Sequence, residues 1–252
     1  MRLKSHIQYN GSKSKIVKII EKYVPEKCKV IISPFIGGGS FEYYIIEKNP
    51  RLKLFCYDNN KLVINYHKCL VTNPKKLYKT IIDNEYNLPI KKDSFIDMKA
   101  KLVAEWDTID SFEKAGMYYS ISLNSYTGDN FVYNRNPRIS NIYNMNGYNF
   151  NSKTSKYGRI YIKNKDAFSV IKRSNVKDNP DIFIFLDPPD YKESTVDFDH
   201  IGLHSIIKTI KSKWIVLYRY NVNICDMYNN FNITTADGGE IKAGCQMIIS
   251  NF

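Results

Sequence analysis

Lys29-Val30-Ile31-Ile32-Ser33-Pro34-Phe35-Ile36-Gly37-Gly38-Gly39-Ser40-Phe41 decides the fold. It reads as a short apolar strand closed by Ser-Pro, a glycine turn and the start of a helix. Three more runs share its strand character: Leu52–Tyr57 before Asp58-Asn59-Asn60, Asp181–Leu186 before Asp187-Pro188-Pro189, and Lys213–Tyr218. Each is short, apolar and bounded by turn residues, as strands buried on both faces are. Helical spacing lies between them, in Ile16-Val17-Ile19-Ile20 and in Ile201, Leu203, Ile206, Ile207 and Ile210. Strands alternating with helices predict a doubly wound, Rossmann-like α/β sheet.

The stretch from 73 to 156 is different. It is polar and rich in Asn, Tyr and Lys, with helical segments near Ser94–Trp106 and Phe112–Leu123. From Asn124 to Lys156 it has few apolar runs. It reads as a smaller, mostly helical lobe inserted into a core made of 1–72 and 157–252.

The strand ends carry the chemistry. Glycines at 37–39 let backbone approach a ligand, and the helix that follows offers unpaired N–H groups. Asp58 ends the next strand, about twenty residues on, where nucleotide-binding α/β folds place a carboxylate for ribose hydroxyls. Taken singly, the turn could simply pack a helix on a sheet, and Asp58 could cap a helix. Together they predict a site for a nucleoside cofactor. The prolines after Asp187 cannot continue a strand ladder. They set a stiff turn that presents the Asp187 carboxylate and the Pro188 carbonyl, two fixed acceptors suited to an exocyclic amino group. An isolated Asp-Pro-Pro could equally be a plain strand-ending turn.

The 252 residues carry a formal net charge of +12 and twenty tyrosines. Excess positive charge suits a polyanion partner, and tyrosine both stacks on bases and hydrogen-bonds phosphates. Lys153, Lys156 and Arg159 are candidate phosphate contacts, with a solvated loop as the plain reading. No apolar run approaches the ~18 residues of a membrane span, and the first residues lead straight into motif-like sequence, so neither a membrane nor a signal peptide is expected. The five cysteines are scattered without a Cys-x-x-Cys pair, which predicts a reducing compartment, no disulfide framework and no metal site.

With these motifs in order, the chain resembles the Dam-type, or D12-class, adenine-N6 DNA methyltransferases. Gln8-Tyr9-Asn10-Gly11-Ser12-Lys13 is similar to the family's N-terminal Lys-Trp-x-Gly-Gly-Lys element, and Pro34–Ser40 to its S-adenosylmethionine (AdoMet) loop. Asp58–Tyr66 resembles Asp-x-Asn-x-x-Leu-Ile-Asn-x-Tyr, and Tyr118–Asn134 a stretch that ends the DNA-binding lobe. Asn164–Phe168 is similar to the segment that contacts the cofactor's adenine, Asp187-Pro188-Pro189 to the catalytic Asp-Pro-Pro-Tyr, and Cys245–Phe252 to the closing strand.

The resemblance implies an AdoMet-dependent methyltransferase sheet with a DNA-recognition lobe. AdoMet would be held by Tyr9, Lys13, Pro34, Phe35, Gly37, Gly38, Gly39, Asp58, Asp166 and Ala167. Asp187, Pro188, Pro189 and Tyr191 would form the catalytic turn. Asn124 and Tyr126 would join Lys153, Lys156 and Arg159 on double-stranded DNA, the target adenine being flipped from the stack. Such a protein works inside the cell, in cytoplasm, nucleus or a viral factory. The chain also departs from the pattern. Ser33 replaces an acidic residue, Gln8 and Tyr9 replace Lys and Trp, Ser125 replaces Arg, and Asp190 stands where Tyr or Phe is expected. These departures leave a second reading open: a catalytically inactive subunit or DNA-binding structural protein, acting with a second methyltransferase-like partner. N-methylation of RNA or protein is a third.

Overall fold

The computed structural model describes residues 7–49, 51–126, 131–137, 159–191 and 198–252. The chain forms two compact units. One comprises Met1–Lys15, Gly37–Glu47 and Asn60–Ile162; the other comprises Ile16–Ile36, Lys48–Asn59 and Lys163–Phe252.

The second unit is built on the sheet. Its strands are β1 (Val30–Ser33), β2 (Lys53–Asp58), β4 (Ile182–Leu186), β5 (Lys213–Arg219), β6 (Asn232–Thr235) and β7 (Gln246–Ser250), while β3 (Ile160–Asn164) crosses the boundary between the units. Among the described residues the order is β3-β2-β1-β4-β5-β7-β6. β1 pairs in parallel with β2 and β4, and β4 with β5; β7 runs antiparallel to β5 and β6. All five residues of β4 are buried, the expected state of a central parallel strand covered on both faces. Ile32, Ile184, Leu186, Trp214, Val216 and Ile249 join one core. Helices α1 (Val17–Glu21), α7 (Ala167–Ile171), α8 (Ser174–Lys177), α9 (His200–Ile207) and α10 (Val222–Met227) also belong to this unit.

The order of the sheet locates its reactive edge. From β1 the chain builds outward to β2 and β3, then returns to the other side of β1 for β4 and β5. The reversal lies between β1 and β4. Ligands of open α/β sheets bind beyond the carboxyl ends of the strands at such a switch point.

The other unit holds α2 (Ser40–Lys48, all but its last residue), α3 (Lys61–Thr72), α4 (Pro74–Asp83), α5 (Lys92–Ala104) and α6 (Ser111–Leu123). The central helix is α6, whose residues from Lys114 to Leu123 are all buried and which packs against α3, α4 and α5. Phe95 and Leu102 of α5 meet Met117 and Ile121 of α6 in its core. Side-chain caps mark the starts: Asn60 accepts from Leu62 N–H, Asn73 from Lys76 N–H ahead of Pro74, and Asp110 from Phe112 and Glu113 N–H. Each satisfies a donor that has no partner within the helix.

Candidate active site

In the sheet unit, β1 and β2 end in buried polar residues. Ser33 closes β1 with no exposed surface, and Asp58 closes β2 at 8% exposure. Past Ser33, Pro34 and Ile36 are buried and Phe35 is half-buried; the Ile36 N–H donates to the Tyr57 carbonyl at 2.9 Å. The Asp58 carbonyl accepts from the Lys165 N–H at 3.1 Å and from the Asn164 side chain at 2.8 Å. Asp58 itself does not cap α3, since Asn60 fills that place. Asp166 is the N-cap of α7, its Oδ2 accepting from Ser169 N–H at 2.8 Å, and Ala167 is buried directly after it. Phe198 packs edge-on against Phe35 and tilted against Phe168, at ring separations of 5.5 and 5.7 Å. Of the two, Phe168 closes the Asn164–Phe168 segment singled out in the sequence, and Phe198, which has no flanking motif, did not stand out there.

The turn after β4 lies at the switch point. Asp187 is half-buried, Pro188 buried and Pro189 exposed. At the next position the Asp190 Oδ2 meets Arg219 Nε at 3.2 Å, a pair open to solvent. Tyr191 lays its ring against His200, 5.2 Å between centroids, and His200 Nδ1 is 2.9 Å from the Tyr218 hydroxyl. Burial holds the Tyr218 hydroxyl far above the usual phenol range, with Asp190 and Asp187 adding to the effect. Burial also lowers His200, against the opposing pull of Asp199 and Asp190. A protonated phenol beside a largely neutral imidazole therefore backs the turn. Arg219 at the end of β5 is a neighbour of the turn that no sequence motif announces.

In the helical unit, the glycine turn takes backbone angles that side chains resist: φ is +46° at Gly37 and +72° at Gly39. Tyr9 packs on Gly37, and Tyr43 and His67 on Gly39. His67 is fully buried; its Nε2 lies 2.7 Å from the Gly37 carbonyl and its Nδ1 2.8 Å from the Tyr43 hydroxyl. Burial pushes this imidazole down to about 4, the bond to Gly37 opposing the shift. Ser12 and Ser40 share a 2.8 Å hydroxyl contact, and Lys13 Nζ donates to the Gly11 carbonyl at 2.7 Å. Tyr9, Lys13 and Gly37–Gly39 all fall in this unit.

The proposed DNA contacts are placed unevenly. Asn124 is fully buried; its Oδ1 accepts from Ile90 N–H, and its amide donates to the Ser120 and Leu88 carbonyls. Tyr126 is 61% exposed, and its carbonyl accepts from the Gln8 amide, which also bonds the Ser125 carbonyl. Arg159 is half-buried just before β3. Lys153 and Lys156 lie outside the described residues.

In one unit a turn bare of side chains at three positions, and in the other a buried carboxylate at the end of β2, are each of the kind a nucleoside-type methyl donor needs. A stiff acceptor turn follows β4. Residues 9–238 match the family described as D12 class N6 adenine-specific DNA methyltransferase, and the chain belongs to that family. It is similar to the Type II methyltransferase M.CviBI of Paramecium bursaria Chlorella virus NC1A, at 22% identity over 91% of this chain and 88% of the relative. Type II methyltransferase M1.LlaDCHI of Lactococcus lactis subsp. cremoris is also 22% identical, over 92% and 87%. Type II methyltransferase M.MjaIII of Methanocaldococcus jannaschii shares 23% identity over 68% of this chain and 52% of its own length. The protein is thus a DNA methyltransferase of the adenine-N6 class. No helix among the described residues is long and apolar enough to cross a membrane.

Proposed function

We propose that this chain transfers the methyl group of AdoMet to N6 of adenine in double-stranded DNA, using its own Asp-Pro-Pro turn. The observation that carries the reading is the placement of two stretches at one switch point. Ser33–Ile36 leaves β1, and Asp187–Tyr191 leaves β4, its parallel neighbour. AdoMet supplies, when bound, an electrophilic methyl group on a sulfonium. The residues that would hold AdoMet are Pro34, Phe35, Gly37, Gly38 and Gly39, with Tyr9 and Lys13, while Asp58 would take the ribose hydroxyls and Asp166 and Ala167 would serve its adenine. Asp187 and the Pro188 carbonyl would accept hydrogen bonds from the target N6, with Pro189 holding the turn rigid, orienting the amino group for transfer; the proton that N6 loses would pass to solvent. Positioning of this kind provides most of the rate without a base of tuned pKa. Tyr191 borders the target base. Residues 1–72 and 157–252 act as the AdoMet core and 73–156 as the recognition lobe, with Tyr126, Lys153, Lys156 and Arg159 serving the DNA; Asn124, expected there from the sequence, is instead buried with its amide bonded to Ile90, Ser120 and Leu88, so it braces the lobe rather than meeting DNA.

The test is transfer of labelled methyl to unmethylated duplex DNA by the unaltered chain and by Asp187→Ala. Label in N6-methyladenine is expected from the first, and a loss of about a hundred- to a thousandfold from the second, a size typical of a lost transition-state contact. AdoMet binding should survive the substitution. A second reading is favoured by one feature, the Asp190–Arg219 pair at the place of an aromatic residue. If the unaltered chain binds AdoMet and DNA yet transfers no label, it acts as an inactive subunit beside an active methyltransferase partner.

A further inference from the structure

The Gly37–Gly39 turn is gripped by side chains from three separate stretches of one unit. Tyr9 comes from the N-terminal segment, Tyr43 from α2 and His67 from α3. A Cβ on Gly37 would fall 2.7 Å from Tyr9 Cε1; one on Gly39 would fall 2.6 Å from Tyr43 Cε2 and 3.1 Å from His67 Cε1. Carbon atoms settle at about 3.5–4.0 Å, so the rings already fill the space side chains would need. Packing alone would give the turn a shape. His67 also gives it a direction.

A carbonyl oxygen has only lone pairs to offer, so the 2.7 Å contact with Gly37 requires the proton on Nε2, which donates. The ring is wholly buried, which favours its neutral form. Nδ1 is then bare and accepts from the Tyr43 hydroxyl at 2.8 Å. The Gly37 carbonyl thus sets the tautomer, and Tyr43 satisfies the nitrogen it leaves bare. In a planar trans peptide the C=O and the following N–H point opposite ways. Drawing the Gly37 carbonyl to His67 therefore turns the Gly38 N–H away from His67.

We propose that His67 is a positioning residue for the methyl donor: through the Gly37 carbonyl it fixes the peptide plane between Gly37 and Gly38, and with it the direction of the Gly38 N–H in the cofactor turn. The proposal rests on the reading of that turn as the AdoMet site. Neither Tyr43 nor His67 touches the reacting atoms; both act on the backbone that does the holding.

Two substitutions separate this role from mere packing. In His67→Gln the amide nitrogen reaches the place of Nε2 and keeps the donation to Gly37. In His67→Asn the shorter amide reaches only the place of Nδ1. Calorimetry with AdoMet on the full chain should find His67→Gln within about threefold of the unaltered protein and His67→Asn weaker by about tenfold or more, the scale of one lost hydrogen bond. The two variants should melt within a few degrees of each other. Equal binding by both, or a loss of binding that only follows a loss of melting temperature, overturns the proposal. The long-range 1H–15N spectrum of the unaltered protein should show His67 protonated on Nε2 and bare on Nδ1; the reverse tautomer also overturns it. If His67→Asn does not fold, Tyr43→Phe carries the test: several-fold weaker AdoMet binding is expected, and unchanged affinity refutes the role. No AdoMet binding by the unaltered chain would instead defeat the cofactor reading itself, so the two failures are distinguishable.

Discussion

His67 shows what a single residue contributes and why sequence passed over it. Its neighbours Asn65 and Tyr66 belong to a recognisable motif, but a histidine one step later has no signature. Only the folded chain brings it to Gly37. Its burial has a consequence for pH. The folded imidazole lies at about 4 against an ordinary 6.5, so the unfolded chain takes up this proton first. Above pH 6.5 neither state holds the proton and stability is unaffected. As pH falls from 6.5 towards 4 the unfolded state is favoured increasingly, by up to about 3 kcal/mol. The groups facing the ring, the Gly37 carbonyl and the Tyr43 and Tyr66 side chains, carry no charge in this range. Urea unfolding at pH 7 and pH 4.5 should therefore show a larger loss for the unaltered protein than for His67→Gln. Equal losses would mean that the imidazole is not the titrating group. The places of Asp58 and Asp187 at strand ends, by contrast, were legible in sequence because each closes a short apolar run bounded by turn residues.

At the scale of elements, legibility followed hydrophobic pattern. The four apolar runs became β1, β2, β4 and β5, with ends within a residue or two of those expected. The segments near Ser94–Trp106 and Phe112–Leu123 became α5 and α6. The edge strands were harder. β6 is Asn-Ile-Thr-Thr, mostly unburied, and β3 alternates only briefly. An edge strand covered on one side has little apolar surface to conceal, so its sequence resembles a loop. Capping was equally quiet. Asp110 is exposed and unremarkable in the chain, yet its carboxylate receives the Phe112 and Glu113 N–H groups at 2.9 and 3.4 Å. Asp110→Ala should lower stability by about 1 kcal/mol, measured by denaturant unfolding. Because α6 is the helix on which α3, α4 and α5 pack, that loss should appear as a shift of the whole transition rather than as local fraying.

For the molecule as a whole, charge is the property that reaches furthest. A net +12 on a protein acting on DNA predicts affinity governed by counterion release. Duplex binding should fall by about 10³–10⁵ between 50 and 200 mM salt if 6–10 phosphates are engaged. Fluorescence anisotropy across that range measures it, and a flat response would remove the basic surface from the account of DNA binding. The sheet's order bears on a different matter, the making of the protein. Val30 of β1 registers with Ile182 of β4, and the whole of α2 to α6 is written between them. A nascent chain that has emerged only as far as Asn164 holds β1, β2 and β3 but lacks the strand that covers the other side of β1. Its apolar edge stays unpaired through the translation of the next stretch, a template for unwanted strand addition. Slow translation just before Ile182 should thus raise aggregation, and a chaperone that masks β1 should suppress it.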